Sequence, residues 1–183
     1  MDFSFRDIKI QAPRLSLRTL TIEDATQEYA DWLNDSEVNK YLETKSGTLE
    51  SVRTYIEEKR KQHDALFFGI FLNEHMHMIG TIKLEPIYIE AKKAVIAIII
   101  GERSVWGKGY GSEAIATLVQ YGFSELGLDE ISLGVIADNV GAIRTYEKVG
   151  FEEVSRTLRS ASSTRPSHEY VTMIITPETI RSE

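Results

Sequence analysis

The sequence predicts a mixed α/β (α+β) single domain, and three observations carry that prediction. Ala94 to Ile100 is apolar at every position and mostly β-branched, the pattern of a strand buried on both faces near the centre of a sheet. Soon after it, Trp106-Gly107-Lys108-Gly109-Tyr110-Gly111-Ser112-Glu113-Ala114 forms a glycine-rich turn that opens an amphipathic helix. Along the rest of the chain, stretches of period two alternate with stretches of helical period. At 183 residues with 42% apolar content, the chain is long enough for one proper core, and nothing marks a second domain.

The elements follow in order. After a polar N-terminal segment, residues 1–12, Leu15 to Arg18 alternates as a strand and Thr21 to Asp24 reads as a helix start, with a helix over Ala25 to Leu33. Asn34-Asp35-Ser36 breaks it, and a second helix runs from Gly47-Thr48 to about Gln62. Leu66 to Leu72 and Met78 to Leu84 form a hairpin, and Pro86 bends or ends its second strand. After the run at 94–100, apolar residues at Ile115, Leu118, Val119, Gly122 and Leu126 share one helix face, with Gly127 as the cap. Ile131 to Ile136 is a strand, Asn139 caps a helix ending at Gly150, and Phe151 to Leu158 and His168 to Ile175 return as strands. Ser160 to Ser167 is read as a loop.

The composition excludes several classes. A formal charge of -7 and a pI near 5.2 argue against a nucleic-acid footprint and suit a basic or amine-bearing partner. With no cysteine, disulfides, thiolate metal sites and a cysteine acyl-enzyme are excluded. The first residues lack a signal-peptide pattern, and the longest apolar run is too short to span a bilayer, so the expectation is a cytoplasmic protein without membrane contact. His63, His75, His77 and His168 show no metal-ligand spacing, and no metal is expected.

The glycine loop is where chemistry is expected. Glycines let backbone approach an anion, and the unpaired N–H groups of a first helical turn attract one, so the loop suits a pyrophosphate. Downstream, Asn139-Val140-Gly141-Ala142-Ile143-Arg144-Thr145-Tyr146-Glu147-Lys148-Val149-Gly150-Phe151 places Asn139 and Tyr146 seven residues apart, about 10 Å along one helix face. One face then touches an extended ligand twice. The plainer alternative is a helix cap at Asn139 and a core-edge tyrosine at 146.

These two segments, in this order, resemble the GNAT superfamily of acetyl-CoA-dependent N-acetyltransferases, and Trp-Gly-Lys-Gly-Tyr is similar to the ribosomal-protein-alanine acetyltransferase branch. The resemblance covers Leu15 to about Ile175 and implies a GNAT domain over 13–178: a twisted, mostly antiparallel sheet of about seven strands with about four helices. It implies acetyl-CoA as donor, gripped at Trp106, Gly107, Lys108, Gly109, Tyr110, Gly111 and Ser112. Gly109 and Gly111 match the fixed glycine positions of the family loop, whereas Trp106 stands where Gln or Arg is usual. The pantetheine arm is expected in a gap beside the strand of Ile98 and Ile100, hydrogen-bonded by Asn139. Backbone N–H groups at the end of that strand would polarise the thioester carbonyl. Tyr146 is the implied general acid toward the thiolate.

Relatives often carry a glutamate near Val95; here the strand has none, and the base is open. Glu85 is the first carboxylate to test, with Glu102 and Asp138 behind it. In the family the first two helices and their connection wall the acceptor pocket, which makes Asn39, Tyr41 and Glu43 the acceptor contacts. Three functions stay in play: acetylation of a small amine such as an aminosugar or polyamine, acetylation of a protein N-terminus, and a catalytically quiet acyl-CoA-binding module. A homodimer is also an expectation, since dimers are common among such proteins.

Overall fold

The computed structural model describes residues 1–160 and 167–180. Eight strands form one sheet: β1 (Lys9–Gln11), β2 (Leu15–Thr19), β3 (Leu66–Leu72), β4 (Met78–Tyr88), β5 (Lys93–Ile100), β6 (Glu130–Ile136), β7 (Glu152–Arg159) and β8 (His168–Ile175). Among the described residues four α-helices accompany it: α1 (Gln27–Asn34), α2 (Leu49–Lys61), α3 (Tyr110–Ser124) and α4 (Val140–Val149). The strand order is β1-β2-β3-β4-β5-β6-β8-β7, with every neighbouring pair antiparallel except β5 and β6. The eighth strand is β1, which lies inside the segment 1–12 and pairs with β2. The loop expected at Ser160 to Ser167 lies outside the described residues except for its two ends.

Two cores hold the helices to opposite faces. Leu15, Leu17, Phe68, Ile70, Ile82 and Leu84 pack with Ile115, Leu118 and Val119 of α3 and Val149 of α4. Phe67, Phe71 and Met78 pack with Tyr29 and Trp32 of α1 and Val52 and Ile56 of α2. Burial on both faces falls instead on β3, whose first six residues are all buried, and on the first five residues of β4. That corrects the expectation for Ala94 to Ile100: only Ala94 and Ile96 of β5 are buried. The apolar run is real, but its second half borders a cleft.

Local chemistry sets the helix ends. Thr21 caps only a 3₁₀ turn at Ile22–Asp24, where Arg18 holds Asp24 through two hydrogen bonds of 3.0 and 2.6 Å, so α1 starts later, under a Thr26 cap. Thr48 and Ser51 form a reciprocal cap on α2. β4 continues past Pro86 to Tyr88 with a register shift between Leu84 and Ile87, so of the two expectations for Pro86 the strand is interrupted in register and does not end.

Candidate functional site

The site begins where the sheet splits. β5 pairs with β6 only at Lys93↔Glu130, Ala94↔Ile131 and Val95↔Ser132, whereas it stays paired with β4 to Ile100. The Gly101 N–H donates to the Ile79 carbonyl at 2.9 Å. Since ladder bonds alternate along an antiparallel pair, Ala97 and Ile99 share their backbone bonds with β4, and Ile98 and Ile100 turn theirs toward the gap left by β6. A cavity of about 710 Å³ occupies this gap, lined by β5, the 105–112 loop, α4 and residues 37–42.

The glycine loop forms one end. Gly107 and Gly109 have φ of +74° and +82°, a left-handed backbone that side chains disfavour, and Gly109 is the N-cap of α3. The N–H groups of Tyr110, Gly111 and Ser112 fall in the first turn, where no intrahelical acceptor exists, and all three residues line the cavity. A Cβ added at Gly111 would lie 3.7 Å from Ile100 Cγ1, an ordinary contact that accommodates alanine. Ser112 Oγ donates to the Gly109 carbonyl at 2.9 Å and closes the turn. Trp106 Nε1 donates to the Ile100 carbonyl at 2.9 Å, so the indole ties the loop to the end of β5 while lining the cavity. Lys108 is the exception: it does not line the cavity, and its carbonyl accepts from Arg14 on the outside of the loop.

Helix α4 forms the opposite wall. Asn139 is both the cap, its side chain accepting from the Ala142 N–H at 3.3 Å, and a cavity residue. The short side chain at the start and Gly150 at φ +118° fix the two ends of the helix. Two turns on, Tyr146 lines the same cavity, 8% exposed, with its ring edge-on to Phe151 at 5.7 Å. No other described residue hydrogen-bonds its hydroxyl. Burial, helped by Tyr170, pushes the phenol up to about 12, so it holds its proton throughout the physiological range. Arg144 and Lys148, four residues apart on α4, also line the cavity and make this wall basic in an acidic protein. The sequence reading missed both: they lie two residues either side of Tyr146, a spacing that does not place them on its helix face.

The third wall is the connection between α1 and α2. Tyr41 lines the cavity, and its hydroxyl donates to the Asp138 carbonyl at 3.1 Å, linking this wall to the α4 side. Asn39 does not line it: its amide donates to the carbonyls of Leu33 and Lys45 and shapes the loop instead. Glu43 does not line it either, while Glu37, Val38, Lys40 and Leu42 do. Glu37 is the sole carboxylate on the described cavity wall.

Glu85 is not brought to the site. It lies off the cavity, between Lys59 and Lys83 with a 2.5 Å contact to Lys83, its side chain 14% exposed. Burial would raise its pKa, but the hydrogen bonds from the two lysines outweigh it and hold the carboxyl below the usual range. Glu85 thus serves as an internal counter-charge, not a base. Glu102 and Asp138 are off the cavity too, Glu102 accepting from the Ser104 N–H at 2.9 Å. Away from the cavity, ligand atoms of Glu28, His77 and Glu102 come within 4.8 Å of one another, a grouping from one helix and two connections that spacing along the chain does not reveal.

A split sheet, a helix start with unpaired N–H groups beside it and a buried phenol in the gap thus meet around one cavity. The chain belongs to the acetyltransferase (GNAT) domain family, which matches residues 14–152. It is 33% identical to the uncharacterized N-acetyltransferase YoaA of Bacillus subtilis (strain 168) over 79% of this chain and 82% of that one. Among solved structures, it is similar in fold to a GNAT-family acetyltransferase from Bacillus anthracis, with a TM-score of 0.81, 24% identity, and 93% and 99% of the two chains covered. It is also similar to spermidine N-acetyltransferase from Vibrio cholerae, solved with CoA and spermine, with a TM-score of 0.81, 21% identity, and 92% and 98% covered. The activity is acetyl-CoA-dependent N-acetyl transfer. No described helix is long and apolar enough to cross a membrane.

Proposed function

We propose that this enzyme acetylates a small-molecule primary amine, such as a polyamine or aminosugar, by direct transfer in a ternary complex. The observation that carries this reading is the Tyr41 to Asp138 hydrogen bond, which ties the acceptor wall to the α4 side of the cavity. A cavity of about 710 Å³ whose walls are joined in this way suits a small molecule, whereas an extended peptide needs a groove that runs on between the walls. Glu37 on that wall offers a carboxylate to an acceptor's second ammonium group. The fold shared with a spermidine acetyltransferase supports the same acceptor class.

In this reading the donor pyrophosphate sits on the N–H groups of residues 109–112, with Arg144 and Lys148 facing its phosphates. The pantetheine arm runs along Ile98 and Ile100, where the Ile98 backbone groups and the Ile100 N–H take its amides and an N–H polarises the thioester carbonyl, the Ile100 carbonyl being held by Trp106. The amine nitrogen attacks that carbonyl, a C–N bond forms, and the C–S bond breaks. The nitrogen loses its extra proton to water, and Tyr146 protonates the departing thiolate, regaining its own proton from solvent.

Thiol release from acetyl-CoA, measured over a panel of polyamines, aminosugars, amino acids and peptides with free N-termini, tests the reading. Turnover confined to small amines is the expected result. Turnover confined to peptides would replace it with protein N-terminal acetylation.

A further inference from the structure

Arg14, just before β2, makes contacts that the loop's own sequence does not suggest. Its backbone N–H donates to Glu113 Oε1 at 2.8 Å and its Nε to Glu113 Oε2 at 2.6 Å, so one residue occupies both oxygens of a carboxylate 8% exposed. Its Nη1 donates to the Lys108 carbonyl at 3.0 Å, and its guanidinium lies 4.5 Å over the Tyr110 ring. Nearly a hundred residues separate it from the loop it holds.

Resting on the reading of this loop as the pyrophosphate site, we propose that Arg14 is a positioning residue that makes the loop competent to bind the donor's phosphates. Two physical effects support this. Glu113 is a buried anion in the first turn of α3, at the helix end where the pyrophosphate would sit, and unpaired it would repel that ligand. Arg14 neutralises it. In addition, the carbonyl and N–H of a trans peptide point in opposite directions. With the Lys108 carbonyl drawn outward to Arg14, the Gly109 N–H of the same peptide turns toward the cavity that Gly109 lines. Arg14 itself does not line the cavity, so its effect on the donor passes through the loop. A lysine would keep the charge but lose the planar fork that reaches two acceptors at once.

The test compares dissociation constants for CoA and for pantetheine, which lacks the phosphates, in wild type, R14A, R14K and R14A/E113Q, read by calorimetry. In R14A the constant for CoA should rise roughly tenfold, the loss expected for a charge-assisted contact, while that for pantetheine stays unchanged. R14K should fall between wild type and R14A. The double variant buries no orphan charge and should recover part of the CoA affinity, which also keeps the test valid if R14A folds poorly. Unchanged CoA binding in R14A, or an equal loss for both ligands, would overturn the role of Arg14. Wild type binding CoA no more tightly than pantetheine would instead overturn the reading of the loop.

Discussion

Tyr146 shows how one residue carries two readings at once. It packs against Phe151 in the core and lines the cavity, so the structural and functional assignments made from sequence describe the same side chain. Its burial is what suits it to chemistry: the phenol, pushed up to about 12, stays protonated until well above the pH at which an exposed tyrosine ionises. Tyr146→Phe should lower kcat about a hundredfold while leaving acetyl-CoA affinity within about twofold. For the wild type, kcat plotted against pH should rise as the amine deprotonates and show no fall near pH 10. Glu85 is the opposite case. Its place beside Leu84 on β4 was legible, but the lysine from α2 that claims it stands 26 residues away. Glu85→Ala leaves two half-buried lysines without a counter-charge and should cost about 3 kcal/mol of stability, with turnover per folded molecule unchanged. Because the folded carboxyl has a lowered pKa, its stabilisation is present above the usual carboxylate range and fades as pH falls through the lowered value. Chemical denaturation at pH 7 and in acid checks both parts.

At the scale of elements, patterns that depend on neighbours in sequence were readable. The β3–β4 hairpin, α3 behind its glycines, and α4 between Asn139 and Gly150 follow from period, cap and turn chemistry. Burial was less readable, because it depends on what lies across the sheet. A strand facing a cleft and a strand between two cores both read as unbroken apolar runs, which is why β5 resembled β3. The acceptor wall was read only in part for a related reason: in an irregular segment, side-chain direction follows loop hydrogen bonds. Asn39 turned inward to Leu33 and Lys45, while Tyr41 reached Asp138. Tyr41→Phe removes that bridge and keeps the ring. It should raise the acceptor KM about fivefold, the worth of one neutral hydrogen bond, with the acetyl-CoA KM unchanged; initial rates with each substrate varied check it.

At the scale of the whole molecule, the topology produces the site. Placing β6 parallel to β5 for only three residue pairs opens the sheet at its middle, and the same gap receives α3's first turn, α4's inner face and the α1–α2 connection. An acidic chain thereby presents a locally basic wall, with Arg144 and Lys148, to a polyanionic donor. The family was legible from the two motifs, and through it the gap beside Ile98 and Ile100; the Arg14 brace, which depends on contacts between distant segments, was not. In the proposed reading donor and acceptor meet in one cavity, and the chain has no cysteine to carry the acetyl group, so transfer proceeds without an acetyl-enzyme. Initial rates of thiol release with donor and amine varied together test this most directly: intersecting double-reciprocal lines are predicted, and parallel lines, the mark of a covalent intermediate, would contradict the account.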